Sequence, residues 1–271
     1  LVTFLRDQRR KSRKRDSEAT VKEANLDLRL TELTRQVTAL FDDPDAGKGL
    51  DAKTRADAAE AWERLGDLSR LFLPSDGDKY WAKVGKLKIG RFPVTVGEYA
   101  KFVKAKPKRE PRGWNEQTSW QAQTKFPYRP VVCVTWHDAD AYCKWAHKTY
   151  GCVRPSLPES DEWQRAAEGE GKPARLYPWG DNDPSDQTAN FDNNVGRVTP
   201  VGLFPAGNTD KDVSDLAGNV WEWTNSDFDE DTKVLRGGAF SSYAAALRVA
   251  YRSWDHPEDR ISNIGFRCVG D

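Results

Sequence analysis

The sequence predicts a chain of mixed helix and strand in two parts: a helical hairpin over residues 1–73, then a larger region over 74–271. Three observations predict it. Apolar residues recur at long-range helical spacing only in the first part. The second part holds 10 of the 11 tryptophans and all four cysteines. Short apolar and β-rich runs there are punctuated by Gly and Pro.

In the first part, Leu26, Leu30, Leu33, Val37 and Leu40 form one apolar stripe, and Ala58, Ala61, Leu65, Leu68 and Phe72 form another. Asp42-Asp-Pro-Asp-Ala-Gly-Lys-Gly49 between them is a breaker-rich turn. Each stripe is too short for a free coiled coil. The stripes can pack on each other, on the rest of the chain or on a second subunit. The short loop favours packing within the chain, as antiparallel neighbours.

From Pro74 onward, Leu87–Thr95 reads as a strand leading into a turn. Thr95 or Gly97 then opens a helix with Tyr99, Phe102 and Val103 inward. Pro130–Trp136 is continuously apolar and reads as a buried strand. Asp138 is placed to cap a helix through Tyr150, with Ala139, Tyr142, Cys143 and Ala146 on one face. Leu157–Trp163 starts a further helix, with Pro158 near its start, carboxylates in the first turn, and Trp163 and Ala167 inward. Beyond Tyr177-Pro-Trp-Gly180, loops dominate.

Lys+Arg and Asp+Glu both number 42, so net charge is zero and exerts no general pull toward nucleic acid or an anionic membrane. Arg6–Arg15 is a basic run, read as a solvated end in preference to a nucleic-acid or lipid contact. No stretch approaches the roughly 18 apolar residues of a membrane span, and no signal peptide is visible. The chain opens on Leu1 and holds no Met, so a trimmed upstream segment, fused domain or membrane anchor is expected. The cytoplasm is favoured for the chain as it stands, with surface display if a signal preceded it. Cys133, Cys143, Cys152 and Cys268 lack CxxC spacing, which speaks against zinc and for buried thiols.

The remaining motifs carry a resemblance. Phe92-Pro-Val-Thr95, Pro130–Ala139, Leu157–Trp163, Tyr177–Gly180, Pro200-Val-Gly202 and Asp215-Leu-Ala-Gly-Asn-Val-Trp-Glu-Trp-Thr224 precede Arg236-Gly-Gly238 and Asn263-Ile-Gly-Phe-Arg-Cys268. In this order and spacing they resemble the formylglycine-generating enzyme (sulfatase-modifying factor) family. The resemblance covers about residues 84–271. It implies an α+β, C-type-lectin-like domain with a small twisted antiparallel sheet, two helices and long loops. Trp179, Trp221 and Trp223 then read as core anchors, each pairing its indole N–H. Phe266 and Cys268 read as alternate positions on a closing strand.

Enzymes of that family hold copper on a cysteine pair after the Arg-Gly-Gly turn, and soft thiolates suit Cu(I). Here the segment reads Ala239–Arg248, with serine or leucine where the cysteines should be. Related sulfoxide synthases use a histidine cluster for iron. This chain has only His137, His147 and His256, and the first two, ten residues apart, do not share a helix face. The expectation is therefore no enzyme and no catalytic cofactor. The rivals are a family oxidoreductase with an altered metal site and a structural pseudoenzyme module. The resemblance also implies a structural calcium, with Asp215, Gly218, Val220 and Glu222 as oxygen ligands; capping of backbone amides by the two carboxylates is the alternative. A second calcium near Asn190-Phe-Asp192 is disfavoured by the short loop that follows.

The last segment also resembles the variable proteins of diversity-generating retroelements. Arg236-Gly-Gly238, Phe240, Ala244, Leu247-Arg248, Ala250, Arg252, Pro257, Arg260 and Ile264–Arg267 match the scaffold of their variable region, here 236–267. Interleaved are Ser241, Ser242, Tyr243, Ala245, Ala246, Tyr251, Ser253, Asp255, His256, Asp259, Ile261 and Ser262. The residues at all twelve positions are reachable by randomising AAC-type codons. The resemblance implies a non-catalytic binding protein whose 241–262 surface takes a protein or other macromolecular ligand, nucleic acid being disfavoured. Tyr243 and Tyr251 supply contact area at low entropy cost among small neighbours.

Overall fold

The computed structural model describes residues 18–66, 69–169 and 175–270, with side chains from residue 26 onward. The basic run Arg6–Arg15 and Leu68 lie outside the described residues.

Helix α1 spans Glu18–Asp42 and helix α2 spans Ala52–Glu63. Asp51 caps α2, its carboxylate accepting from the Thr54 amide at 2.6 Å. The second helix stops well short of Phe72, because the chain turns at Gly66 with φ +84°. Its buried face is Ala52, Arg55, Ala56, Ala59 and Trp62, displaced from the expected Ala58, Ala61 and Leu65. Trp62 sets that face by stacking on Tyr128 at 5.9 Å, outweighing the smaller alanines.

The hairpin packs within the chain. Val37, Leu40, Phe41 and Trp62 share a core with Tyr128, Val195, Leu203 and Phe204. At its edge Glu60 accepts from Arg129 Nη2 at 2.6 Å and from Arg197 Nη2 at 3.0 Å. Glu63 accepts from the Tyr128 amide, and burial pushes its carboxyl up to about 7.

Two small sheets form the rest of the frame. Strands β1 (Trp81–Val84) and β2 (Leu87–Gly90) make an antiparallel hairpin, and β7 (Val269–Gly270) joins β2. The second sheet has the order β5-β4-β3-β6, with β3 at Trp221–Asp227, β4 at Lys233–Arg236, β5 at Ser253–Asp255 and β6 at Ile264–Gly265. Its β3–β6 pairing is parallel, unlike the single antiparallel sheet expected. Phe266 and Cys268 are buried but do not share a strand. They lie on the link that carries the chain from one sheet to the other.

Helix α3 (Val96–Ala105) is capped by Thr95 and buries Tyr99, Phe102 and Val103 as its periodicity predicts. A single turn, α4, spans Trp120–Gln123. Helix α5 (Trp136–Tyr150) buries Ala139, Tyr142, Cys143 and Ala146. Its cap is Thr135, and Asp138 closes the reciprocal bond of a capping box from within the first turn. Helix α6 (Ser160–Glu168) buries Trp163 and Ala167. The apolar run before α5 is buried but forms no strand. Val131, Val132 and Cys133 send their amides to Val94, the Gln123 side chain and Ile261, three separate partners, and Cys133 turns to φ +59°. Among the described residues, no helix is long and apolar enough to cross a membrane.

The central core joins both sheets to α3 and α5 through Tyr99, Phe102, Tyr142, Trp223 and Phe266. One carboxylate sits inside it: Glu98 Oε1 accepts from Tyr80 at 2.8 Å and from the Tyr142 hydroxyl.

Candidate recognition surface

The C-terminal segment leaves β4 at Arg236, crosses the second sheet's edge as β5 and re-enters the core at β6. Two arginines pin its ends. Arg236 is buried and donates to Ser160 Oγ at 2.9 Å, to the carbonyls of Val249 and Tyr251 at 3.0 Å each, and to Gln164 Oε1 at 2.6 Å. Arg267 is buried against Glu222. Between them Gly237 and Gly238 take φ of +94° and +75°. A Cβ on Gly238 would stand 2.9 Å from Leu247 Cδ1 and 3.2 Å from the Ala246 carbonyl, so this turn requires glycine.

The segment divides by burial. Ala239, Leu247, Val249, Ile264 and Phe266 are buried, with Leu247 in a cluster with Tyr177, Ala189 and Ala217. Ser241, Tyr243, Tyr251 and His256 are exposed, and Ser242, Ala245, Ser253, Asp255, Asp259, Ile261 and Ser262 are half-buried. Ala246 departs from the expected interleaved set: it is 3% exposed, held under the Gly238 turn in a 3-10 turn over Ala244–Leu247. Arg248, Ala250 and Arg252, read as scaffold, are exposed instead.

Tyr243 stands out to solvent at 61% exposure and hydrogen-bonds Tyr251, which raises the Tyr251 phenol's pKa. Tyr251 also faces Trp221, ring centroids 6.1 Å apart. Trp221 is thus half-buried beneath the surface, whereas Trp223 is a full core anchor donating to the Val134 carbonyl at 3.1 Å. Trp179 is half-buried and donates to the Asn182 carbonyl at 3.0 Å. Burial pushes the Asp255 carboxyl up to about 6, reinforced by its hydrogen bond with Asp259. Trp254, within this segment, and Phe228, beside it, are exposed and belong to neither the scaffold nor the interleaved set. Their signal is a large aromatic on a three-residue edge strand and another in an acidic turn.

The metal sites implied by the family resemblance meet these side chains as follows. Glu222 does not fit a calcium ligand, since Arg267 takes both its oxygens and the Trp163 indole donates to Oε2 at 2.7 Å. Asp215 Oδ2 accepts from the Gly202 amide at 2.6 Å, and burial pushes its carboxyl up to about 6. The Gly218 carbonyl accepts from the Val220 amide at 2.9 Å. Asp215 thus caps a backbone amide, as the alternative has it, whereas Glu222 pairs with the side chains of Arg267 and Trp163 and caps none. Copper finds no thiolate or imidazole on Ala239–Arg248, where Ser242 Oγ accepts from the Ala239 amide at 3.0 Å. The histidines are dispersed: His137 pairs with Glu258, His147 Nδ1 meets the Val153 carbonyl, and His256 lies edge-on to Trp254.

Two small sheets, the capped helices and the arginine-pinned C-terminal segment define a lectin-like α+β domain of the formylglycine-generating type. The chain belongs to the family of sulfatase-modifying factor enzyme 1-like domains, which it matches over residues 78–271. The hercynine oxygenase of Mycobacterium tuberculosis is 31% identical over 234 residues, covering 69% of this chain and 53% of that protein. The inactive C-alpha-formylglycine-generating enzyme 2 of Bos taurus is 37% identical over 158 residues, covering 52% of this chain and 50% of that protein. The chain thus spans about half the length of the curated relatives it matches. Treponema denticola variable protein 1 shares the fold at 20% identity, with a TM-score of 0.54 over 68% of this chain and 84% of that one.

These comparisons correct one expectation. The chain was expected to be no enzyme because its cysteine pair and a three-histidine iron site are missing. Its family and its hercynine oxygenase relative are enzymes by name, so that inference from absent metal ligands does not stand.

Proposed function

We propose that this domain recognises a macromolecular ligand through the surface carrying residues 241–262, and that this surface varies in sequence as in the retroelement variable proteins. One observation carries the reading: the segment's fold rests on one set of residues and its exposure on another. The buried set closes the core, while eleven of the twelve interleaved positions reach solvent. Exchange at the exposed ones, Ser241, Tyr243, Tyr251 and His256, is expected to leave the core packing untouched. Tyr243 and Tyr251 give rigid amphipathic contact area beside small Ser and Ala neighbours, a composition suited to binding.

The test is a library of the full chain randomised at Ser241, Tyr243, Ala245, Tyr251, Ser253, His256 and Ser262. Most members are expected to keep the parent's melting temperature, and selection against an unrelated target protein is expected to yield binders. A library that mostly unfolds, or never yields a binder, overturns the proposal. A near-copy of the codons for 236–267 beside a reverse transcriptase gene is the expected genetic companion.

A further inference from the structure

Two exposed aromatic residues outside the interleaved set, Trp254 within the 241–262 segment and Phe228 beside it, carry a second observation. Phe228 and Trp254 are 43% and 49% exposed, their ring centroids 6.1 Å apart, and His256 meets Trp254 edge-on at 6.2 Å. They form a ledge on the β5 edge of the second sheet, where Trp254 pairs in register with Val234. Beside it lies an open recess of about 380 Å³ lined by Asp229, Glu230, Asp231, Thr232, Trp254 and His256.

The charge of this recess is one-sided. Asp229 is spent locally, accepting from the Asp231 amide at 3.1 Å and the Thr232 hydroxyl at 2.6 Å. The carboxylates of Glu230 and Asp231 are exposed and make no hydrogen bond or ion pair among the described residues. The nearby cation Lys233 is turned inward, onto Asp227, the Asn225 carbonyl and the Trp136 ring. An aromatic face next to unpaired carboxylates complements one chemistry: a lysine or arginine side chain, whose charge meets the acids and whose stem or guanidinium lies on the ring.

We infer that the Phe228–Trp254 ledge and its acidic recess dock a basic segment of a partner protein. This rests on the recognition reading of the 241–262 surface and adds to it a charge-selective anchor built on Trp254, Phe228, Glu230 and Asp231, outside the interleaved set. The interleaved residues then choose among partners that the ledge has already sorted by charge.

The experiment titrates the full chain with a decalysine peptide and with a decaglutamate peptide at low and high salt, by calorimetry. Decalysine is expected to bind and decaglutamate not to. Trp254→Ala is expected to weaken decalysine about fivefold and Trp254→Phe much less, since the ring face is what the cation uses. Glu230→Gln combined with Asp231→Asn is expected to weaken it about tenfold at low salt, the effect shrinking as salt rises. Both carboxylates are solvent-exposed, so the double variant keeps its melting temperature and tests the charge even if Trp254→Ala unfolds. Decalysine binding that Trp254→Ala leaves unchanged in the folded protein overturns the proposal, as does equal binding of an uncharged peptide. Low-salt self-association that vanishes in a chain starting at residue 18 would give the ledge to the basic run of a second copy, and overturns the partner. Tyr243→Ser with Tyr251→Ser is expected to leave decalysine binding intact, so failure here and failure of the 241–262 reading are read separately.

Discussion

Arg267 grips Glu222 through two parallel hydrogen bonds, Nε to Oε2 and Nη2 to Oε1, both at 2.7 Å, and neither side chain has any exposure. The Trp163 indole adds a third bond to the same carboxylate. Removing one member of such a buried pair leaves the other's charge without compensation, at about 3–5 kcal/mol. Glu222→Gln is expected to lower stability to urea by about that amount. The loss should be the same in calcium as in chelator. Calcium that stabilises the parent but not the variant would make Glu222 an ion ligand after all.

Glu98 predicts a pH dependence. Burial pushes its carboxyl from the ordinary 4.5 up to about 7, against the hydrogen bonds from Tyr142 and Tyr80. The folded state therefore holds this proton more tightly than the unfolded chain does. That contribution is complete below about 4.5 and is lost as pH rises through about 7. Glu98→Gln should flatten the fall in stability across that window, read by urea melts at several pH values. An unchanged slope would assign the fall to other groups, Glu63 above all, with Asp215 and Asp255 raised in the same direction.

The hairpin's docking is testable at Glu60, which receives both Arg129 and Arg197. Glu60→Ala leaves two partly buried guanidinium groups short of their acceptor and is expected to cost about 2–4 kcal/mol. Trp62→Ala, which opens the shared core, is expected to cost about 3–5 kcal/mol. If either change melts the hairpin alone while the remaining domain keeps its melting temperature, the two parts fold independently.

The division between frame and surface predicts opposite mutational costs a few residues apart. Leu247→Ala is expected to lose about 2–5 kcal/mol. Tyr243→Ser is expected to stay within about 0.5 kcal/mol of the parent. Equal losses at the two positions would mean that the exposed set also holds the fold.

Much of this domain is legible in the sequence because its signals are local. Thr95 precedes a helix whose inward residues recur at helical spacing, and the structure buries Tyr99 and Phe102 accordingly. The same reasoning misplaces the second helix's face. There the alanines give a weak pattern, and a single contact between Trp62 and Tyr128 outweighs it. Pro130–Val134 has the composition of a strand, but its amides find three unrelated acceptors. Composition reports that a run is buried; it does not report what lies beside it.

The sequence by itself determined the family frame: the Arg-Gly-Gly turn, the Gly-Phe-Arg end and the capped helices. These follow from residue type, spacing and steric need over short stretches. Only the tertiary structure decided that Glu222 serves Arg267, that Ala246 is enclosed beneath Gly238, and that Phe228 meets Trp254 beside an unpaired acidic turn. Each of these joins residues brought together by the path of the backbone. A carboxylate, an alanine or a tryptophan has the same local signature whichever neighbour the fold supplies.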